Sequence, residues 1–566
     1  MIVSTYTAEI YLMKKPGILM GALVGGLLTV PLIVLFFLGN RIASFPFVPF
    51  NVFNNVRDVT PGGIITKVIE TMNNTIGALN LGATDTTAKL IEQSMAVGMV
   101  LVIGIIAGAI FFAVMRRVEH RQEWMPGALF GLIVGLLLTG LSLFGNQVLT
   151  ADRTTSAVWL IGLFLLWGYA HNWVYNRLTY AMADRYIKDA PAPAASVQQI
   201  NRREFLIKLG GATAVITVAG AFVGSMIGAE STRTVSTGSP NTSGEIPGET
   251  AANLPNADAS VQPAPGTRPE LTPVPNHYRI DIALQPPVID LATWTLPFVV
   301  ANASGGMDTL ANFTMDDIRT QFTPIDQYIT QGCISNRIAG DLISTVLWTG
   351  VSMQDILATM ELPADATHLR ITSADGFDES VALDLIASDP TIVMAYDWDH
   401  EPLPTRNGFP VRIHIPDHYG MKQPKWITQI EVMNHDTDGY WVRRTWDKEA
   451  FVRMTSVIDT VAVNNIVTEG DQQFVPVGGI AWSGGRGISK VEVSVDGGEW
   501  AEAQLREPLS DKTWVLWRYD WPFSEGMHTL AVHCYDGNGD LQITEVAPEH
   551  PSGATGIHRV DAMVSA

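Results

Sequence analysis

The stretch Thr330-Gln-Gly-Cys-Ile-Ser-Asn-Arg337 holds one of the two cysteines of this 566-residue chain, at a polar turn bounded by glycine. A thiolate is a soft ligand, and a single one can hold a metal whose other soft ligands come from an organic cofactor. Taken alone, a lone cysteine is more often a small buried apolar side chain. The stretch by itself leaves both interpretations of Cys333 open. The other cysteine, Cys534, alternates with apolar residues like a strand residue and is predicted to be structural.

An ordered series of motifs follows this stretch along the chain. They are Gly340-Asp341, Trp348-Thr-Gly-Val351, Glu401-Pro-Leu-Pro404, Asn407-Gly-Phe-Pro-Val-Arg412, Pro416, Tyr419-Gly420 and Lys425-Trp426. The series, over about 277–450, resembles the molybdopterin-binding domain of sulfite oxidases and their bacterial relatives. Ala481-Trp-Ser-Gly-Gly-Arg486, with the Val-Asp-Gly-Gly that follows it, resembles the immunoglobulin-like C-terminal domain of the same family.

The resemblance implies a molybdenum cofactor, with Cys333 as the only protein ligand to the metal. It implies that Arg412 and Lys425 contact the pterin and its phosphate, for which a planar guanidinium and an ammonium are suited. Asn407 stands where the family has a histidine, and Asp375 lies in a turn of weaker correspondence. The residues predicted to bind the cofactor are Arg412, Lys425, Asn407, Gln423, Asp375 and Asn336.

The chain departs from the family pattern where the substrate would bind. The catalytic tyrosine of the family's Asp-Tyr pair is replaced in Thr445-Trp446. Arg337 keeps one basic side chain beside Cys333, but an arginine expected near the C-terminus falls at about His550. Arg279 is out of register with another anion-binding arginine. Because a small dianion needs several fixed cations, these changes favour a substrate less anionic than sulfite. The predicted catalytic residues are Cys333, Arg337 and Trp446.

The N-terminal part of the chain is rich in uncharged apolar runs. Each is long enough to cross a hydrocarbon core of about 30 Å as a helix. The five predicted spans are about 17–39, 94–115, 126–146, 156–176 and 209–228. The last follows Asn201-Arg-Arg-Glu-Phe-Leu-Ile-Lys208, which resembles a twin-arginine export signal in an internal position, with a basic juxtamembrane cluster as the alternative.

Basic residues predict the orientation of these spans, since loops that stay in the cytoplasm carry the excess of Lys and Arg. Lys14 and Lys15 put the N-terminus inside, so that five crossings leave the catalytic domain outside the cytoplasmic membrane. His171 is the one histidine within the predicted spans, whereas a bis-histidine haem needs two axial ligands. We therefore expect no haem.

The predicted fold is multi-domain. It comprises an N-terminal α-helical transmembrane bundle (1–228), a flexible linker rich in Ser, Thr, Pro and Gly (229–276), an α+β molybdopterin domain (277–455) and a C-terminal immunoglobulin-like β-sandwich (456–566). The linker composition buries too little apolar surface to offset the entropy of ordering the chain.

Function is predicted to be oxygen-atom transfer by a sulfite oxidase-like enzyme. The alternatives are a reductase of sulfoxides or other oxygenated substrates, and a cofactor-free membrane-tethered binding or scaffold protein. The net charge of -20 argues against a nucleic-acid partner. The expected partners are a small oxyanion or sulfur compound, an electron carrier of the cytochrome or quinone kind, the membrane, and a second copy of the chain.

Overall fold

The computed structural model describes residues 15–118, 124–143, 151–186, 202–231 and 254–565. Its residues divide between two compact units. The helical unit takes its residues from 1–60 and 89–240, and the sheet unit from 61–88 and 241–566.

Long apolar helices dominate the N-terminal part. In chain order, the helices are α1 (Ile18–Ala43), α2 (Val48–Val59), α3 (Gly62–Ala78), α4 (Thr84–Met115), α5 (Met125–Leu143), α6 (Arg153–Tyr186) and α7 (Arg202–Ser231). Glycines bring neighbouring helices close together, because a Cβ on Gly25 of α1 would lie 3.0 Å from the Cα of Gly108 on α4. Likewise, a Cβ on Gly131 of α5 would lie 3.1 Å from the Cα of Gly168 on α6. Such close approach at small residues is typical of helices that pack in lipid.

Among the described residues, four helices are long and apolar enough to cross a membrane. They are Ile18–Ala43, Thr84–Met115, Met125–Leu143 and the Arg153–Thr179 part of α6. These match the first four predicted spans, except that 144–146 lie outside the described residues. The fifth predicted span falls on α7, a continuous helix of 30 residues that is not among the four, and it stays a prediction. Asn201 of the predicted export signal also lies outside the described residues.

His171 lies buried on α6. Its Nδ1 is 3.0 Å from the carbonyl oxygen of Trp167, and the two rings meet edge to face with centroids 4.2 Å apart. The absence of haem stays a prediction.

The segment 61–88 corrects the predicted domain boundary, because it belongs to the sheet unit and not to a membrane domain that runs from 1 to 228. The hydroxyl of Thr66 on α3 donates to the carbonyl oxygen of Arg444 at 3.1 Å. The backbone N–H of Thr84 donates to Asp341 Oδ2 at 2.8 Å. Contacts between residues this distant in sequence leave no local pattern in the sequence. The predicted boundary at residue 228 therefore could not take them into account.

The second half of the predicted flexible linker is also different from expectation, since residues 254–276 pack on the sheet unit. The buried guanidinium of Arg506 donates to the carbonyl oxygens of Asn256 (3.0 Å) and Val261 (2.8 Å). Arg268 forms an ion pair with Asp459 at 2.6 Å. A polar, proline-rich composition predicts that a segment buries little apolar surface. It does not predict whether the segment forms hydrogen bonds with the surface of a folded domain. Residues 232–253 lie outside the described residues.

One mixed sheet, one antiparallel sheet and three short helices form the part of the sheet unit between residues 296 and 433. One sheet has the order β2-β1-β10-β5-β6, and the other has the order β3-β4-β7-β8 with β9 paired to β7. The strands are β1 (Leu296–Ala301), β2 (Met307–Phe313), β3 (Ile325–Gly332), β4 (Ile343–Ser352), β5 (His368–Ser373), β6 (Asp378–Ala382), β7 (Val393–Trp398), β8 (Glu401–Pro402), β9 (Arg412–His414) and β10 (Ile427–Met433), and the helices are α8 (Met315–Gln321), α9 (Met353–Leu357) and α10 (Leu383–Ser388). Every residue of β4 is buried, as expected of a central strand covered on both faces.

Two further sheets form the C-terminal part. Their orders are β11-β13-β17-β16, with β12 on β13, and β15-β14-β18-β19. The strands are β11 (Thr455–Val461), β12 (Val467–Glu469), β13 (Gln472–Trp482), β14 (Ile488–Val495), β15 (Ala501–Glu502), β16 (Gln504–Leu505), β17 (Val515–Pro522), β18 (Gly526–Asp536) and β19 (His558–Val564). Val477 and Trp517 from one sheet share an apolar core with Val532 and Cys534 from the other. The shared core fits a β-sandwich, and its immunoglobulin-like class stays a prediction.

Candidate active site

Cys333 follows directly on the end of strand β3. Its N–H donates to the carbonyl oxygen of Leu342 at 2.9 Å, and its own carbonyl oxygen accepts from the N–H of Asn336 at 3.0 Å. The side chain of Asn336 closes the same loop, since its Oδ1 accepts from the N–H of Leu342 at 3.0 Å. These bonds hold the thiol at a fixed position that is 8% exposed.

The Cys333 thiol lies in an environment of mixed character. Tyr278 and Leu342 pack around it, and Ser335 Oγ is 3.2 Å from Sγ. Burial raises the pKa of Cys333, while the hydrogen bonds of Ser335 and the charge of Lys425 oppose that rise. A cation near a buried thiol favours its thiolate, the form that ligates metals.

Arg412, on strand β9, is a cation buried near this thiol. It is 3% exposed and donates to the carbonyl oxygen of Asn407 at 3.0 Å and to Gln331 Oε1 at 3.2 Å. Burial lowers the pKa of Arg412 to about 10, so that the guanidinium keeps its charge at neutral pH. The ring of Trp348 lies under it, 4.8 Å from Cζ to the ring centroid.

Lys425, whose side chain is 13% exposed, is the second cation and lies next to Arg412. A Cβ on Gly408 would lie 3.2 Å from the Cβ of Arg412 and 3.3 Å from the Cβ of Lys425, so both side chains start next to one glycine. Gly408 has a φ of +126°, which a residue with a Cβ rarely adopts. Burial lowers the pKa of Lys425 to about 8, and Asp281 opposes that change.

Several buried polar atoms around the two cations have no hydrogen-bond partner among the described residues. They are His277 Nε2, Trp348 Nε1, Trp398 Nε1, Asn407 Oδ1 and Arg412 Nε. Leaving such a group unsatisfied costs roughly 1–3 kcal/mol, so a cluster of them points to a polar ligand. A pterin with a phosphate tail has the matching donors, acceptors and negative charge, and the residues present therefore fit this cofactor.

Sequence reasoning missed His277, which is 2% exposed. Burial and the charge of Arg412 lower the pKa of His277 well below its usual value, so that the ring is neutral. Its Nδ1 lies 2.8 Å from the carbonyl oxygen of Tyr278, which requires Nδ1 to donate and leaves Nε2 as an acceptor. The only signal in the sequence was its position, Asn276-His277-Tyr278, at the start of the globular part.

Gln423 is linked to Arg412 through the side chain of Gln331. Its side-chain N–H groups donate to the carbonyl oxygens of Ile415 (3.1 Å) and His418 (2.9 Å), and its Oε1 accepts from Gln331 Nε2 at 2.8 Å. Because Gln331 in turn accepts from Arg412, Gln423 orients the guanidinium through Gln331.

Asp375 lies in the turn between β5 and β6, where its Oδ1 accepts from the N–H of Phe377 at 3.1 Å. The neighbouring N–H of Ala374 donates to the carbonyl oxygen of Trp426 at 2.9 Å, which ties this turn to the residue after Lys425. A contact between Asp375 and the cofactor stays a prediction.

The residues predicted near the substrate form two groups, Trp446 with His550, and Arg337 on the loop of Cys333. Trp446 is 5% exposed and shares an apolar cluster with Ile334, the residue after Cys333. The ring of His550 lies 5.1 Å from that of Trp446, and its Nε2 lies 2.8 Å from the carbonyl oxygen of Thr445. The half-buried Arg337 follows on the same loop as Cys333.

Arg279 does not add a free cation here. Its Nε donates to Asp281 at 2.7 Å, and its Nη2 donates to the carbonyl oxygen of Ala283 at 3.0 Å. The scarcity of free cations in the substrate pocket stays a prediction.

Comparison with known proteins identifies both parts of the sheet unit that follow residue 283. Residues 283–441 match the oxidoreductase molybdopterin binding domain, and residues 446–547 match the Mo-co oxidoreductase dimerisation domain. Mitochondrial sulfite oxidase of Macaca fascicularis is 28% identical over 308 residues, which cover 46% of this chain and 56% of that protein. The NAD(P)H nitrate reductase of Hordeum vulgare is 26% identical over 326 residues, which cover 47% of this chain and 36% of that protein.

Among solved structures, the sulfane dehydrogenase SoxCD from Paracoccus pantotrophus is similar at 17% identity with a TM-score of 0.41, over 50% of this chain and 80% of that one. The chain spans about half the length of the curated relatives it matches.

The two matched domains define a molybdopterin-binding oxidoreductase. Within that class, its two matched domains are those of the sulfite-oxidase-like family.

Proposed function

We propose that this chain is a membrane-anchored enzyme that uses a molybdenum cofactor for oxygen-atom transfer. The observation that carries the proposal is the arrangement of one buried thiol, Cys333, with two cations, the buried Arg412 and the partly buried Lys425, within a cluster of unpaired polar atoms. Such an arrangement suits a cofactor that brings both a soft metal site and an anionic tail.

Each residue of this arrangement has a distinct part in holding the cofactor. Cys333 would provide the thiolate ligand, and Arg412 and Lys425 would hold the phosphate and the pterin. Asn407 Oδ1 and the neutral His277 Nε2 would accept hydrogen bonds from the pterin N–H groups. When bound, the cofactor supplies the two-electron redox change and the transferred oxygen atom.

The substrate side favours a neutral or singly charged molecule. Arg279 is engaged by Asp281, and an imidazole, His550, stands near Trp446 where a guanidinium was expected from the family pattern. This shortage of free cations also supports the second candidate function, reduction of a sulfoxide or another neutral oxygenated compound. Trp446 cannot supply the acidic hydroxyl of a tyrosine, and its buried indole would instead exclude water from the metal's open side.

The fact that two separate segments of the chain form the sheet unit supports five membrane crossings. Its two segments, 61–88 and 241–566, must lie on one side of a membrane, so an even number of crossings separates them. Three candidate spans lie between the segments, namely Thr84–Met115, Met125–Leu143 and Arg153–Thr179. We infer that α7 is the fourth crossing, and hence the fifth span of the chain. With Lys14 and Lys15 inside, the catalytic part then lies outside the cytoplasmic membrane.

Two partners follow from this proposal. The match to the Mo-co oxidoreductase dimerisation domain supports a homodimer through residues 446–547. An electron carrier of the cytochrome or quinone kind would exchange electrons with the metal, since oxygen-atom transfer changes its oxidation state by two.

Metal and pterin analysis of the detergent-solubilised protein tests the proposed function. We expect about one molybdenum and one pterin per chain in the wild type, and loss of molybdenum or turnover in Cys333→Ala. Cys534→Ala is the matched control, because this second buried cysteine lies in the C-terminal core.

Assays with sulfite, dimethyl sulfoxide and methionine sulfoxide then separate the two candidate activities. A wild-type protein free of molybdenum would instead support a scaffold on an enzyme fold.

A further inference from the structure

Helix α3, from the segment between the first two candidate spans, packs on the loop that carries Cys333. A Cβ on Gly77 of α3 would overlap the guanidinium of Arg337, so the helix lies in direct contact with that side chain. A few residues later, the N–H of Thr84 donates to Asp341 Oδ2 at 2.8 Å. Arg337 and Asp341 lie between Cys333 and Leu342, whose carbonyl oxygen accepts from the N–H of Cys333.

The other end of α3 packs beside Trp446. A Cβ on Gly62 would lie 2.6 Å from the Cα of Arg444, and the Thr66 hydroxyl donates to the carbonyl oxygen of the same residue at 3.1 Å. Near the middle of α3, Glu70 Oε1 lies 4.0 Å from Nδ1 of His550. The helix therefore extends from the Trp446 side of the site to the Arg337 side.

One face of α3 makes the contacts with Arg337, Arg444 and His550. Thr66, Glu70, Asn73 and Gly77 recur at the three- and four-residue spacing that places side chains on one side of a helix. Asn73 lies between Glu70, which approaches His550, and Gly77, which covers Arg337. The region that faces Asn73 is therefore the region between those two substrate-side residues.

Asn73 is buried but unpaired. Its side chain is 6% exposed, and its amide makes no hydrogen bond with the part of the chain that the structure describes. The guanidinium of Arg337 likewise makes no ion pair or hydrogen bond with the described residues. The Asn73 amide and the Arg337 guanidinium therefore keep donors with which a polar ligand can bind.

We propose that α3 forms the outer wall of the substrate pocket, and that the Asn73 amide, with the Arg337 guanidinium, binds an oxygen atom of the substrate. This inference rests on the proposed function and narrows its substrate class. One guanidinium and one neutral amide suit a sulfoxide oxygen or a singly charged oxyanion, whereas a dianion requires more positive charge. A helix that spans both sides of the site also limits the substrate to a small molecule.

Kinetics of Asn73→Ala, with Asn74→Ala as the matched control, test the binding role. Asn74 is the next residue on the same helix, has the same side chain and is exposed. In full-length solubilised protein, we expect Asn73→Ala to raise KM for sulfite or dimethyl sulfoxide about tenfold, as loss of one hydrogen bond would. The value of kcat and the molybdenum content should change little, and Asn74→Ala should match the wild type in all three.

Hydrogen exchange tests the position of α3 independently of turnover. Gly77→Val would push against Arg337, whereas Gly63→Val on the same helix would enter open space. We expect faster amide exchange over residues 337–341 in Gly77→Val, with or without molybdenum, and wild-type exchange in Gly63→Val.

The possible outcomes separate this inference from the function on which it rests. A molybdenum-loaded, active enzyme in which Asn73→Ala leaves KM unchanged for each substrate refutes the role of Asn73. Equal amide exchange over residues 337–341 in Gly77→Val and Gly63→Val refutes the position of α3 as the outer wall of the pocket. Wild-type protein without molybdenum overturns the proposed function and the role of Asn73 with it, while the exchange result still decides where α3 lies.

Discussion

Lys425 and Asp281 form an ion pair, with Nζ 2.9 Å from Oδ2, in which the carboxylate is 2% exposed and the lysine side chain 13%. Arg279 donates to the same carboxylate at 2.7 Å. One buried carboxylate therefore balances two cations beside the candidate cofactor site. Burial lowers the pKa of Lys425 to about 8, and Asp281 prevents a larger fall.

The stability of cofactor-free protein should depend on pH through Lys425. Its pKa is about 8 in the folded chain, against a reference value of 10.5. Between these values the unfolded chain binds a proton that the folded chain has released, so stability rises with pH over this window. We expect a contribution of at most about 3 kcal/mol, measured as the difference in thermal unfolding between the wild type and Lys425→Met from pH 7.5 to 10.5. Parallel pH profiles for the two proteins would contradict the depressed pKa.

Arg412→Lys should weaken cofactor binding although the charge is kept. The guanidinium donates to Asn407 and Gln331 at once and still has its Nε unpaired, which a single ammonium cannot reproduce. We expect the pterin content of the purified protein to fall about tenfold, which corresponds to loss of one or two charged hydrogen bonds. Arg370→Lys, at an ion pair with Asp378, is the control and should keep its pterin. Full pterin content in Arg412→Lys would show that only charge matters at this position.

Much of the site could be predicted because its motifs are short and contiguous. Asn407 to Arg412 form one loop and strand start, and Lys425 follows within the same segment, so one resemblance identified all three. Gln423 and Asn336 were also identified, yet their hydrogen bonds stabilise Gln331 and the Cys333 loop. A motif shows that a residue matters but not which atom it contacts.

The contacts between distant segments could not be predicted. The role of His277 depends on the charge of Arg412 and on the Trp398 ring 4.3 Å away, neither of which is near it in sequence. In the sequence, the segment 61–88 has the composition of a polar loop between two apolar helices. That composition does not predict that the segment packs on Arg337 and Arg444. The apolar spans could be predicted more readily than these contacts, because length and hydropathy alone identify a helix that can cross a membrane.

Trp446→Tyr should shift substrate preference toward sulfite. Tyrosine introduces a phenol hydroxyl near Cys333, on the side of the site where His550 lies 5.1 Å from the Trp446 ring. We expect molybdenum content to be unchanged, and the ratio of kcat/KM for sulfite to that for dimethyl sulfoxide to rise about tenfold, the effect of one hydrogen bond. Trp441→Tyr is the control, since this ring packs on the same cluster at 6.5 Å from Trp446. An unchanged ratio in Trp446→Tyr would remove Trp446 from the substrate pocket.

Arg506→Ala should release the segment that precedes the cofactor domain. The guanidinium is 7% exposed, donates to the carbonyl oxygens of Asn256 and Val261, and pairs with Glu270 at 3.0 Å. Removing it leaves these acceptors unpaired, so residues 254–270 should open more often and be cut by protease about ten times faster, as a loss of roughly 1.4 kcal/mol of local stability implies. Arg518→Ala is the matched control, because Arg518 makes one bond of 3.3 Å to this segment, at Gln262. Equal cleavage rates in the two variants, mapped by mass spectrometry of the fragments, would mean that the segment is held by its other contacts, above all the ion pair of Arg268 with Asp459.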